Sequence, residues 1–145
     1  MNSFKIIDIL LVEDNPGDIR LTQEVLKDGK IQNKLSIIMD GEEAINFLKK
    51  IGKYKDAPTP DLILLDLNLP KKDGREVLAE IKRDTELARI PVIILTTSAA
   101  ENDIINTYSN HANCYITKPV DFKQFISVIR AIENFWLTIV KLPIK

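Results

Sequence analysis

A chain of 145 residues has the usual length of one compact domain and leaves little room for a second core. Apolar residues at 45% are enough to fill that core, and Lys+Arg 20 against Asp+Glu 21 gives a net charge of −1, which excludes a nucleic-acid binder working by bulk positive charge. The single Cys114 cannot close an internal disulfide and no apolar run approaches the roughly 18 residues of a membrane span, so a reducing, cytoplasmic setting without membrane insertion is expected.

The first apolar run covers residues 6–12. As a signal core it fails, because Asp8 interrupts it and Glu13 and Asp14 stand where small cleavage-site residues are needed. As a strand it leads into Asn15-Pro16, an N-cap followed by proline at the first helical position, after which Ile19, Thr22, Val25 and Leu26 mark one face of a helix ending before Gly29. A second run, 35–38, precedes Asp40 and Glu43, which resemble a capping box. Ala44, Ile45, Leu48 and Ile51 then follow at helical spacing up to Gly52.

Residues 53–60, with three Lys or Asp charges and two prolines, read as a polar surface connection. The third and fourth runs, 62–65 and 92–95, are apolar throughout, as expected of strands covered on both faces. Between them Asp73-Gly74 opens a third helix carrying Val77, Leu78 and Ile81. A shorter fourth helix is expected over 103–109, a fifth strand over 114–116, and a fifth helix marked by Phe122, Phe125, Ile126, Ile129 and Ile132. Strands alternating with helices predict an α/β domain built on a doubly wound parallel sheet with five strands and five helices.

Open parallel sheets bind ligands beyond the carboxyl ends of their strands, where strand order reverses. Here those ends carry Glu13-Asp14, Asp66-Leu67-Asn68, Thr96-Thr97-Ser98 and Thr117-Lys118-Pro119. With the order 2-1-3-4-5, the first and third strands are neighbours and three carboxylates, Glu13, Asp14 and Asp66, share one cleft. Like charges held together need a compensating cation, and an all-oxygen donor set suits Mg²⁺. The cleft is suited to phosphoryl transfer.

In order and context, Glu13-Asp14, Asp66, Thr96 and Lys118-Pro119 resemble the response-regulator receiver family, over residues 6–132. The resemblance implies a flavodoxin-like fold and a two-component phosphorelay in which Asp66 attacks the phosphohistidine of a sensor histidine kinase. It also implies that Glu13, Asp14, Asp66 and the backbone carbonyl of Asn68 hold Mg²⁺, and that Thr96 and Lys118 bind the phosphoryl oxygens. Tyr115 matches the aromatic that changes rotamer with phosphorylation, Asp73-Gly74 matches the turn after the third strand, and the Lys118-Pro119 bond is expected to be cis. Two departures stand out. Glu13 replaces a frequent aspartate, and Val120 a common phenylalanine. The implied activity is self-directed phosphotransfer and dephosphorylation rather than turnover of a substrate.

Residues 133–145 form an unusually apolar tail, Phe135-Trp136-Leu137-Thr138-Ile139-Val140 and onward, read either as a dimerisation arm or as a segment packed back on the fifth helix. With the stretch from Leu67 to Leu78 it resembles single-domain regulators paired with phytochrome-type histidine kinases, several of them dimers. Output is then expected through a downstream protein target.

Singly, most of these residues have ordinary explanations. Glu13 and Asp14 could simply favour the positive end of a helix, Thr96 is a common strand residue, Tyr115 a packed aromatic and Asn68 a turn residue. His111 is read as neither ligand nor base, and Cys114 as a small buried hydrophobe. The alternatives are an aspartate-nucleophile phosphatase, which needs a second aspartate where Asn68 stands, a flavodoxin-type FMN module, whose phosphate Glu13-Asp14 would repel, and a receiver-shaped interaction module that is never phosphorylated.

Overall fold

The strands that position the site are the apolar runs themselves. A computed structural model describes residues 6–27, 32–96, 114–117, 127 and 130. In chain order the elements are β1 (Ile7–Val12), α1 (Pro16–Lys27), β2 (Asn33–Ile38), α2 (Gly41–Leu48), β3 (Leu62–Leu65), α3 (Gly74–Arg83), β4 (Val92–Thr96) and β5 (Cys114–Thr117). All strand pairs are parallel, and the sheet runs β2-β1-β3-β4-β5. The regions expected to form the fourth and fifth helices lie outside the described residues, except that Ser127 and Arg130 are helical and exposed.

Alternation of side chains along the strands sorts the core into two layers. Leu10, Val12, Ile63, Leu65, Val92 and Ile94 pack with Ala44, Ile45, Phe47 and Leu48 of α2 and Val77, Leu78 and Ile81 of α3. Ile7, Ile9, Leu11, Leu62, Leu64 and Ile93 pack on the other side with Val25 and Leu26 of α1. This two-sided burial is why β3 and β4 read as uninterrupted apolar runs.

The helix starts follow their caps. Asn15 Oδ1 accepts from the Asp18 N–H at 3.0 Å, Asp40 Oδ1 from Glu43 at 2.7 Å, and Asp73 Oδ2 from Arg75 at 2.9 Å. The end of α2 departs from expectation. The apolar spacing predicts a helix through Ile51, yet α2 stops at Leu48 and Ile51 is exposed. Lys50 adopts φ 57°, its N–H donates to Phe47 O at 3.2 Å, and Ile51 N–H donates to Asn46 O at 2.9 Å. This pair of bonds is a Schellman ending, with lysine where glycine is usual.

The connection over 53–60 is also less detached than its composition predicts. Tyr54 and Ala57 pack against the α2–α3 core layer, and the Tyr54 ring meets Phe47 edge-on at 5.5 Å. Tyr54 Oη donates to Glu43 Oε1 at 2.6 Å, and Lys53 Nζ lies 3.4 Å from the same oxygen. Hydrogen bonding from Tyr54, aided by Lys53, holds the Glu43 carboxyl below the usual carboxylate range, while donation to Glu43 pushes the Tyr54 hydroxyl up.

Candidate functional site

Register brings the acidic residues together. Val12 of β1 pairs with Leu65 of β3, so the residues one step beyond, Glu13 and Asp66, lie level with each other. Alternation adds a second constraint. Residues 9 and 11 of β1 and 62 and 64 of β3 face α1, so continuing the period by one step aims both carboxylates to the same side of the sheet. Backbone bonds fix the two strand ends: Asp66 N–H donates to Val12 O at 3.0 Å, and Glu13 N–H to Ile38 O at 3.0 Å.

One carboxylate oxygen each from Glu13, Asp14 and Asp66 lies within 4.8 Å of the others. Glu13 and Asp66 are buried, at 3% and 6% exposure, while Asp14 is open to solvent. Charges this close and this shielded repel strongly unless a cation sits among them. The local loops contribute donors as well. Asn15 N–H donates to Glu13 Oε2 at 3.1 Å, and Asn68 N–H to Asp66 Oδ1 at 3.1 Å. All three side chains offer oxygen alone, with one face toward water, and this donor set fits a hard divalent cation that keeps part of its hydration shell.

The β3–α3 connection that carries Asn68 is held by glycine. Gly74 N–H donates to Leu67 O at 2.9 Å, and a Cβ at Gly74 would lie 2.2 Å from the carbonyl oxygen of Asp66. No larger residue allows α3 to start so close to the Asp66 backbone. Lys71 in the same turn takes φ 67°, and Lys72 is ion-paired with Glu80.

Of the other expected site residues, Thr96 closes β4, two positions past Ile94, which pairs with Leu65, and it pairs with Thr117 of β5. Tyr115 lies in β5 opposite Ile94. The side chains of Thr96 and Tyr115 lie outside the described residues, as do Lys118, the Lys118-Pro119 bond, Val120, His111 and the tail over 133–145. Glu13, Asp14 and Asp66 are therefore shown together, and Asn68 is shown beside Asp66. Among the described residues, no helix is long and apolar enough to cross a membrane.

The response regulator receiver domain profile matches residues 9–130. Response regulator Rcp1 of Synechocystis sp. is 56% identical over 135 residues, covering 93% of this chain and 92% of the relative. Among solved structures, the Mn²⁺-bound form of Rcp1 superposes with a TM-score of 0.93 at 54% identity, over 95% of this chain and 99% of the other. The phosphorylated cyanobacterial phytochrome response regulator RcpA gives a TM-score of 0.94 at 51% identity, over 97% of this chain and 100% of the other.

Proposed function

Because the chain belongs to the response regulator receiver domain family of two-component signalling, we propose that Asp66 accepts a phosphoryl group from the phosphohistidine of a sensor histidine kinase, in a Mg²⁺-dependent reaction. The observation that carries this reading is the convergence of Glu13, Asp14 and Asp66 within 4.8 Å at the carboxyl end of the sheet. In the transfer, a carboxylate oxygen of Asp66 forms a bond to phosphorus, the P–N bond to the kinase histidine breaks, and the histidine nitrogen recovers a proton from solvent. Glu13, Asp14, Asp66 and the Asn68 carbonyl would hold Mg²⁺, which when bound neutralises charge on the phosphoryl oxygens. The Asn68 N–H, 3.1 Å from Asp66 Oδ1, orients the carboxylate. Thr96 and Lys118 are assigned to the phosphoryl oxygens and Tyr115 to the switch, on the pattern of the family.

Relatives support the finer assignments. Rcp1 has been crystallised with Mn²⁺, a close mimic of Mg²⁺ at oxygen sites, and RcpA in phosphorylated form as a phytochrome response regulator. The kinase is accordingly proposed to be phytochrome-like, this chain to act in the cytoplasm, and its output to run through contact with a downstream protein. The chain acts on its own aspartate only. A phosphatase reading is disfavoured because Asn68 stands where such an enzyme needs its second carboxylate. Phosphotransfer profiling against the histidine kinases of the source organism tests the proposal. Rapid transfer to this chain from a phytochrome-like kinase, absent in Asp66→Asn, supports it, whereas multiple turnover of small phosphate esters would contradict it.

A further inference from the structure

The connection from β2 to α2, residues 38–41, contributes no side chain to the acidic site, yet it holds both loops that form it. The Ile38 carbonyl accepts the Glu13 N–H at 3.0 Å. Three residues on, the Gly41 N–H donates to Pro70 O at 3.3 Å, in the connection that carries Asn68, and Lys72 N–H converges on the same carbonyl at 2.8 Å. One short segment therefore braces the loop after β1 against the loop after β3.

Only glycine permits the second brace. A Cβ at position 41 would stand 1.8 Å from the Lys72 carbonyl oxygen, 2.7 Å from its carbon and 2.9 Å from Val77 Cγ2. The first two are backbone atoms, so no side-chain rotation relieves the overlap, and ordinary contact begins only near 3.4 Å. The requirement is space rather than backbone angle, since the glycine with positive φ among the described residues is Gly52. At the other end of the loop, Gly74 rests on the Asp66 carbonyl. Residues 67–73 are thus gripped between two glycines, with Asn68 inside the grip.

We propose that Gly41 is a positioning residue of the metal site: by seating α2 directly on the Lys72 carbonyl it fixes the loop bearing Asn68 relative to Glu13 and Asp14, and so sets the affinity for Mg²⁺. The inference rests on the metal-dependent reading of Asp66. Mg²⁺ demands near-ideal octahedral geometry, so a ligand-bearing loop displaced by about an ångström loses affinity out of proportion to any loss of fold.

The test is calorimetric titration with MgCl₂, paired with thermal unfolding in EDTA, on the unsubstituted chain, Gly41→Ala, Asp40→Ala and Tyr54→Phe. Asp40→Ala removes the N-cap beside Gly41 without adding a clash, and Tyr54→Phe loosens α2 through Glu43, away from the loop. Gly41→Ala is expected to weaken Mg²⁺ binding about tenfold or more. Asp40→Ala should weaken it less but in the same direction, and Tyr54→Phe should leave it unchanged at similar cost to unfolding temperature. If Gly41→Ala does not fold, the contrast between Asp40→Ala and Tyr54→Phe decides. Normal Mg²⁺ affinity in a folded Gly41→Ala, or equal affinities in the other two variants, overturns the inference while leaving the phosphoacceptor reading intact. Failure of the unsubstituted chain to bind Mg²⁺ sinks both.

Discussion

The backbone amide of Asp66 donates to the carbonyl of Val12 at 3.0 Å, locking the first residue after β3 level with the first residue after β1. The placing of Glu13 beside Asp66 follows from that bond and from strand alternation, so the repulsion between them is fixed by the strand ends.

The first consequence concerns the metal-free protein. Asp14 is the exposed member of a trio within 4.8 Å, and two unit charges at that distance repel by about 1 kcal/mol even with water-like screening. Asp14→Asn is therefore expected to raise unfolding stability in EDTA by about 1 kcal/mol, and to lose that advantage when Mg²⁺ is added, since the unsubstituted chain gains more from the ion. Urea unfolding with and without Mg²⁺ reads both effects. A destabilised Asp14→Asn in EDTA would argue against electrostatic crowding.

Gly74→Ala tests the contact between α3 and the Asp66 backbone. The added carbon would lie 2.2 Å from the Asp66 carbonyl oxygen and 2.6 Å from Leu67 Cα. Relief requires α3 to withdraw, at a cost of about 2 kcal/mol, with a parallel fall in the rate at which Asp66 accepts a phosphoryl group. Denaturant unfolding and phosphorylation kinetics on the same preparation measure the two losses.

At the other end of α2, Lys50 takes the left-handed conformation, φ 57°, that glycine adopts without steric cost. Lys50→Gly removes this strain but also the Lys50 Nζ bond to Ala57 O, and it makes the unfolded chain more flexible. The expected net gain is about 0.5 kcal/mol, with phosphorylation unchanged. A clear loss of stability would mean that the Ala57 contact outweighs the strain.

These residues also show where the sequence was readable and where it was not. Continuous apolarity located β3 and β4 because both faces of the sheet are covered, and strand ends exposed Glu13, Asp14 and Asp66 because charge directly after such a run has few structural reasons to be there. The end of α2 is not legible in the sequence, because lysine rather than glycine occupies the turn and Ile51 continues the apolar period. Tyr54 was hidden in a polar stretch although its ring packs on Phe47. Gly41 gave no signal at all, since its reason is a carbonyl at Lys72, far along the chain, that only the folded arrangement brings near.

Tyr54 also sets a pH dependence. With the Glu43 pKa depressed, chiefly by the Tyr54 hydroxyl, the folded state binds fewer protons there than the unfolded state. The resulting stability is fully present above the unfolded carboxylate value of about 4.3 and is lost as pH falls through the lower folded value. Tyr54→Phe should therefore unfold at lower temperature near neutral pH, and the gap from the unsubstituted chain should narrow as pH falls below the unfolded carboxylate value of about 4.3. A gap independent of pH in that window would show that Tyr54 acts by packing on Phe47 alone.

Phosphoryl acceptance by Asp66 is tested most directly by intact-mass measurement after incubation with a small phosphodonor, with Mg²⁺ or with EDTA. One added phosphoryl group per chain is expected, dependent on Mg²⁺, labile to mild base and absent in Asp66→Asn. A phosphoryl group that survives in Asp66→Asn, or that forms equally well in EDTA, would contradict Mg²⁺-dependent acceptance by Asp66.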